Sequence, residues 1–305
     1  MTTKIIKELF FNRNLLLILS VFAGFLFGDL AFYTKDYVFS LLILIMIFSS
    51  SGIATKAIFP LKSVIKPMLR GIYLNYIVFG IVMISLAYFL ISDINIFYGF
   101  VVIAATPPGV IILPFTVKSK GDLKYSTIGL LAGFLASVAL TPLIIDLFTE
   151  NASISSMELV FLMVKMVIIP LLVSRLLLFP KIEKVSNKIK GRLTDYSFAI
   201  IIFTAVGMNR TIFYSNFSML ISASLVLIIS MFVLGAIFYF FKQKQGGNSE
   251  ILTSETLLLT IKSSGFAVVT SLELFGKSAT IPAALLSIFV LLFVLAFSVF
   301  KSLKS

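Results

Sequence analysis

Apolar runs long enough to cross a lipid bilayer recur along the whole chain and decide what it can fold into. A helix needs about 18 to 20 apolar residues to span the hydrocarbon core. With 59% hydrophobic residues, 12% charged residues and a mean hydropathy of +1.11, the composition lies far outside the range of soluble proteins. The sequence predicts an all-α polytopic membrane protein. We place ten transmembrane helices at approximately 15–32, 37–54, 71–92, 95–117, 123–148, 157–179, 196–215, 217–241, 251–273 and 279–300.

The distribution of basic residues predicts the orientation of these spans. The net charge is +12, and 20 of the 25 Lys and Arg residues fall in the segments that would share one side with the N-terminus. Lys35, Arg210 and Lys277 fall on the other side. The positive-inside rule then places both termini in the cytoplasm and the chain in the inner cell membrane. Because topology accounts for the charge, we expect the lipid bilayer as a partner and no nucleic acid.

The fourth and ninth predicted spans are interrupted at matching places, about a dozen residues into each run. Unpaired backbone groups cost several kcal/mol in hydrocarbon (roughly 2–7 per group), so such breaks persist only where protein or a water-filled cavity surrounds them. Broken helices at corresponding positions of two halves point to a substrate site. The breaks consist of Thr106, Pro107, Pro108 and Gly109 in the first half, and Lys262, Ser263, Ser264 and Gly265 in the second.

Each break has a simpler structural explanation that the sequence leaves open. A proline in a membrane helix can produce a purely architectural kink, but two consecutive prolines remove two amide donors and favour unwinding.

The equivalent places of Gly109 and Gly265 in the two halves predict two inverted repeats of five helices. We divide the chain into 1–180, with the first repeat and span six, and 181–305, with a cytoplasmic connector and spans seven to ten.

The chemistry of the side chains argues against an enzyme. The chain has no His and no Cys, and its acidic residues fall at the ends of the predicted spans. Membrane proteases and metal-dependent enzymes need His, Cys or paired acids at membrane depth. We therefore expect no catalytic residues, no metal and no cofactor.

Two lysines fall inside predicted spans, where topology does not explain them. An ionisable residue at membrane depth is a candidate functional group, and Lys262 lies in the second break. Its simpler role would be to join two unwound peptide ends. Lys165 is close enough to a span end that its long side chain could place the ammonium at the membrane surface. Asn75, in the third span, is either a site ligand or a hydrogen-bonding contact between helices.

Two stretches resemble the bile acid:sodium symporter family, within the superfamily that also includes arsenite exporters and auxin efflux carriers. They are TPPGVIILPFTVKSKGDLKYSTIGLLAGFLASVALTPLI, from residue 106, and IKSSGFAVVTSLELFG, from residue 261. The resemblance implies two inverted five-helix repeats with crossed broken helices 4 and 9. It also implies a core domain of spans 3–5 and 8–10 and a panel domain of spans 1, 2, 6 and 7.

The sodium ligands that the resemblance implies are mostly replaced in this chain. A Ser-Asn pair of the family corresponds to Ile112 and Leu113, a Thr to Leu130, and the Glu shared by both ion sites to Leu258. Ser126 is retained, and Asn75 stands where the family has a Gln, so both could still coordinate. A hard cation needs several oxygen ligands, so sodium coupling is not expected. Lys262, in place of a second Gln, could put its ammonium where a bound sodium ion would sit.

The sequence therefore predicts a secondary transporter that moves a small organic anion by alternating access without sodium. Lys262 would supply the positive charge, and transport would be proton-coupled or uncoupled. The anion would meet the half-helix N-termini after Gly109 and Gly265. The alternatives are an efflux carrier of the auxin type, since absent cysteine disfavours the arsenite type, and a sensor or channel on the same fold.

Overall fold

The computed structural model describes residues 13–52, 62–149 and 156–303, and these ranges are almost entirely α-helical. The predicted all-α fold is therefore confirmed, while Lys56 and the other residues in the gaps lie outside the described part. Besides the single α-helical turn Ala31–Thr34, the helices are α1 (Arg13–Leu26), α2 (Val38–Ser51), α3 (Lys62–Ile72), α4 (Phe79–Leu90), α5 (Ile94–Ala105), α6 (Ile112–Lys118), α7 (Leu123–Phe148), α8 (Ser156–Met163), α9 (Ile169–Ser174), α10 (Pro180–Met208), α11 (Arg210–Ser215), α12 (Phe217–Ile228), α13 (Leu234–Lys244), α14 (Ser249–Thr260), α15 (Ser264–Phe275) and α16 (Ile281–Leu303).

Polar side chains mark the beginnings of several helices. Asp93 accepts hydrogen bonds from two amides at the start of α5, and Asp122 accepts from Tyr125 N at the start of α7. Asn216 and Asn248 cap α12 and α14 in the same way. A side-chain oxygen at this position pairs amides that have no partner within the helix. Short polar segments between apolar runs therefore fix where consecutive helices begin.

Three long helices contain a π-helical stretch, in which the wider turn disturbs the regular hydrogen-bond pattern. Tyr73–Val78 joins α3 to α4, Val164–Ile168 joins α8 to α9, and Ile229–Val233 joins α12 to α13. Such stretches are frequent at functional sites in other proteins. The first of them contains Asn75, one of the residues singled out in the sequence.

The helices pack in two groups. In the first, α1 and α2 lie against α10, and α9 lies against α2. In the second, α3 lies against α7, α5 packs against α4, α7 and α15, and α14 packs against α13 and α7. The groups meet where α8 contacts α7 and where α10 contacts α16. The broken segments α5–α6 and α14–α15 belong to the second group.

Six helical segments among the described residues are long and apolar enough to cross a membrane, which supports a multi-pass membrane protein. Three shorter apolar helices, Leu15–Leu26, Ile94–Ala105 and Ser264–Phe275, overlap three of the remaining predicted spans. The count of ten spans and the two inverted repeats stay predictions. The six segments are Gly28–Ser51, Val64–Leu90, Leu123–Phe148, Met157–Leu178, Phe217–Lys244 and Ser278–Lys301.

Some boundaries differ from those expected from hydropathy. The basic connector 181–195 forms the first half of α10, and this helix ends at Met208, before the predicted end of span seven. The third helix has begun by Lys62, although its predicted span starts at residue 71. A helix pairs its own backbone groups in water as well as in lipid, so it can continue past the edge of an apolar run. Hydropathy therefore predicts membrane spans and does not predict where these helices begin and end.

Gly133 offers a direct test of the packing around the first break. A Cβ atom at Gly133 would collide with the ring of Pro108, whereas a Cβ at Gly80 of α4 would meet no atom within 4 Å. We expect Gly133→Ala to lower the thermal unfolding midpoint in detergent by several degrees. Gly80→Ala should leave the midpoint unchanged or raise it, because Ala favours a helix by roughly 1 kcal/mol over Gly. Equal midpoints for the two variants would contradict this packing.

Candidate functional site

The two broken segments cross, and their extended residues pair as a short antiparallel bridge between Pro108 and Lys262. The amide of Gly109 donates to the Ile261 carbonyl at 3.1 Å, and the amide of Ser263 donates to the Pro107 carbonyl at 3.1 Å. These bonds satisfy backbone groups that the breaks remove from the helices. The structure therefore brings both sequence-predicted breaks together at one place.

Local sequence explains why the first segment leaves its helix. The last helical residue of α5 is Ala105, and Thr106 is extended, with ψ of 154°. A residue that precedes proline is driven away from helical geometry, and Pro107 and Pro108 have no amide hydrogens to continue the helix. A Cβ on Gly109 would lie 3.0 Å from the carbonyl oxygen of Lys262. The glycine therefore permits the close approach of the two chains.

The ammonium group of Lys262 lies at the centre of the crossing and is only 1% exposed. It donates to the Asn75 side-chain oxygen at 2.8 Å, to the Ala104 carbonyl at 2.9 Å and to the Asn75 carbonyl at 3.2 Å. An ammonium group has three donors, so these bonds use all of them. Its Nζ atom also lies 4.7 Å from the ring centroid of Tyr76 and 5.5 Å from that of Phe79, within cation–π range.

The charge of Lys262 faces the carbonyl end of α5, and Asn75 connects this group to the end of α14. Near the end of α5, the Ala104 carbonyl accepts from Lys262 and the Ala105 carbonyl accepts from Thr141 at 2.7 Å. Near the end of α14, the Leu258 carbonyl accepts from the Asn75 side-chain amide at 3.2 Å. Helix C-termini carry partial negative charge. In the described part of the chain, no carboxylate forms an ion pair with Lys262, so backbone and amide dipoles stabilise its ammonium.

The other predicted site residues take different positions around the crossing. The hydroxyl of Thr106 is buried and donates to the Ile103 carbonyl at 2.9 Å, within its own helix. Ser126 accepts a bond from Thr116 at 2.8 Å and forms no described bond with Lys262. Helix α15 begins at Ser264 with Ser263 as its N-cap, and its first intrahelical backbone bond runs from the Ala267 amide to the Ser263 carbonyl. The helix N-terminus therefore lies at Gly265, where the sequence predicted the start of a half-helix.

Lys165, the second lysine within a predicted span, is exposed on the surface of the π-helical stretch Val164–Ile168. It lies outside the hydrogen-bonded group around Lys262. The two intramembrane lysines therefore differ: one is enclosed by protein, and the other reaches the protein surface. Lys165 provides a natural control for variants of Lys262.

A cavity of about 390 Å³ lies next to the crossing, between α2, α6 and α10. Its walls are mainly apolar, and Lys190, Ser49 and Thr194 supply polar groups. Val110 and Phe198 also line a narrow space of about 30 Å³ that reaches Ser263 and Ser264. The cavity therefore neighbours the space at the start of α15. Its volume is within the roughly 300–1,000 Å³ typical of small-molecule sites.

The sequence did not identify several groups that the structure places near the site. Ala104 contributes a carbonyl, and Tyr76 and Phe79 contribute ring faces, none of which has a distinctive sequence signal. Glu255 is buried rather than placed at a solvent boundary. It accepts from Tyr125 at 2.7 Å and pairs with Arg70 at 3.2 Å, so it links α14 to α7 and α3.

Crossed, interrupted helices around an enclosed charge are features of secondary transporters. A family model supports this class: the Sodium Bile acid symporter family matches residues 39–216, which is more than half of the chain. The chain belongs to this family and is a multi-pass membrane protein of the secondary transporter class. The matched range includes Asn75 and the first break and ends before Lys262. No curated protein matches the chain in a direct sequence comparison.

Lys262→Met should destabilise the crossing. The substitution leaves the Ala104 carbonyl and both Asn75 oxygens without the donor they now have, and a buried unsatisfied group costs about 1–3 kcal/mol. We expect the thermal unfolding midpoint in detergent to fall by several degrees. The matched variant Lys165→Met removes an exposed charge and should leave the midpoint almost unchanged. A Lys262→Met protein as stable as the parent would show that the ammonium does not hold the broken helices together.

Proposed function

We propose that the protein is a sodium-independent secondary transporter that moves a small organic anion by alternating access. Lys262 supplies a fixed positive charge at the crossing in place of a bound sodium ion. Transport is proton-coupled or uncoupled, because a lysine is a proton carrier as well as a cation. The observation that carries the proposal is the enclosed ammonium with its three oxygen acceptors.

Apolar packing at the former ligand positions supports the loss of sodium. Ile112, Leu130 and Leu258 are completely buried, and the Leu258 side chain packs against Gly129. These side chains offer no oxygen to an ion. Asn75 retains its side-chain oxygen but uses it to bind Lys262.

The cavity between α2, α6 and α10 is the proposed substrate site. An apolar body could pack on Phe48, Val110 and Phe198, and the anionic group could pair with Lys190. The amides at the start of α15 offer a second place for negative charge, because a helix N-terminus attracts anions. Lys262 itself is enclosed, so in this account it positions the crossing and does not touch the anion.

The proposed transport cycle uses the two packing groups of the fold. The first group, with α1, α2, α9 and α10, would form the panel domain, and the second would form the core domain. Because the cavity lies at their junction, a relative movement of the groups could expose it alternately to the two sides. This cycle assumes ten spans in two inverted repeats, with both termini in the cytoplasm.

The anion site can be tested with carboxylates and sulfonates, each paired with its uncharged amide, such as benzoate with benzamide. We expect at least one anion, and not its amide, to raise the unfolding midpoint by mass action. The same anion should show saturable counterflow in proteoliposomes. Lys190→Gln should weaken its binding about tenfold, as the loss of roughly 1.4 kcal/mol would do.

Lys184→Gln is the matched control, because Lys184 is an exposed lysine of the same helix and does not line the cavity. It should bind the anion as the parent does. Equal stabilisation by anions and amides would contradict an anion site. Non-saturable flux without counterflow would favour a channel over a transporter.

A further inference from the structure

A second cavity, separate from the one between α2, α6 and α10, lies in a groove between α13 and α16. It has a volume of about 190 Å³ and is lined almost entirely by aromatic and small side chains. Phe232 and Phe293 lie at one end, with ring centroids 5.2 Å apart, and Tyr239 and Phe300 lie at the other, 5.4 Å apart. None of these residues belongs to the proposed transport site.

Small residues keep the groove open between its aromatic walls. Gly235, Ala236 and Ala296 line it, and both alanines are exposed at the protein surface. The groove therefore opens outward, where a membrane protein meets lipid. The rise from Phe293 to Phe300 is about 10 Å at 1.5 Å per residue. Half of the hydrocarbon core is about 15 Å, so the groove matches most of one acyl chain within a single leaflet.

The end of the groove near Tyr239 and Phe300 is basic. Lys242 and Lys244 occupy the last turn of α13, and Lys301 lies in the last turn of α16. The Lys301 ammonium lies 5.7 Å from the ring centroid of Tyr239 and 3.3 Å from the hydroxyl of Ser249. An apolar groove that ends at ammonium groups is complementary to a lipid whose acyl chain ends at a negatively charged headgroup.

We propose that this groove is a specific binding site for an anionic phospholipid. One acyl chain lies between α13 and α16 and packs on the aromatic rings. The phosphate of the headgroup pairs with Lys301 and with the lysines at the end of α13. Because α13 packs on α14, the bound lipid would support the helix that leads into the second break. The site does not depend on the identity of the transported substrate.

Lipid binding can be measured by thermal unfolding of the purified chain in detergent with added lipid. The probes are phosphatidylglycerol and phosphatidylcholine with identical oleoyl chains. We expect phosphatidylglycerol to raise the midpoint by several degrees more than phosphatidylcholine. Native mass spectrometry should show one tightly retained phosphatidylglycerol per chain.

Two variants test the two parts of the site. Ala296→Leu places a larger side chain in the groove, and Lys301→Gln removes a charge at its end. Each should weaken phosphatidylglycerol binding about tenfold and remove the difference between the two lipids. The matched controls are Val299→Leu, at an exposed position outside the groove, and Lys188→Gln, at an exposed lysine of α10. Both should retain the difference in unfolding midpoint between the two lipids.

The proposal would be overturned if both lipids stabilised the parent chain equally, because the headgroup would then play no part. It would also be overturned if Ala296→Leu retained the full effect of phosphatidylglycerol. Both outcomes are independent of transport, so failure here leaves the proposed anion transport unaffected. A folded Ala296→Leu protein can be verified by an unchanged unfolding midpoint without added lipid.

Discussion

The arrangement of the broken helices depends on one ammonium group placed among carbonyl oxygens. An isolated charge inside a membrane protein is costly, and two helix C-termini that converge without a cation repel each other. The ammonium of Lys262 is stabilised by three hydrogen bonds, and its positive charge offsets the partial negative charge of the helix ends. These bonds join the Ala104 carbonyl of α5 to Asn75 of the neighbouring helix. Asn75 in turn binds the Leu258 carbonyl near the end of α14. A covalently attached cation thus holds three chain segments together.

The packing around Lys262 is consistent with the proposed role of its ammonium as an attached cation. Proline and glycine unwind the first segment, and Gly133 leaves room for the ring of Pro108. Leucine replaces polar side chains at places where the family resemblance implies ion ligands, as Leu258 illustrates. A fixed charge needs no further oxygen ligands once its three donors are paired, so apolar packing becomes acceptable there. In the proposed function, apolar residues at the ligand positions and a lysine at the crossing would therefore be consistent parts of one change.

The sequence was informative where a residue type limits the backbone or the environment. Consecutive prolines predicted the first break, and a lysine within an apolar run predicted a functional group at the second break. The partners of Lys262 were not predictable, because a backbone carbonyl such as that of Ala104 has no sequence signature. The sequence left Asn75 as either a site ligand or a hydrogen-bonding contact between helices, since its role depends on the direction of its side chain in a π-helical stretch. Helix ends such as that of α10 were not predictable, because hydropathy marks the edge of the membrane and not the end of a helix.

The most direct test of the attached cation compares thermal unfolding of the purified protein in sodium chloride and in choline chloride at equal ionic strength. The parent chain should have the same midpoint in both salts. An ion that binds only the folded state would raise the midpoint, and the buried Ile112, Leu130 and Leu258 side chains offer such an ion no oxygen ligand. A sodium-specific rise in the parent chain would contradict the account, because it would reveal an ion site that Lys262 has not replaced.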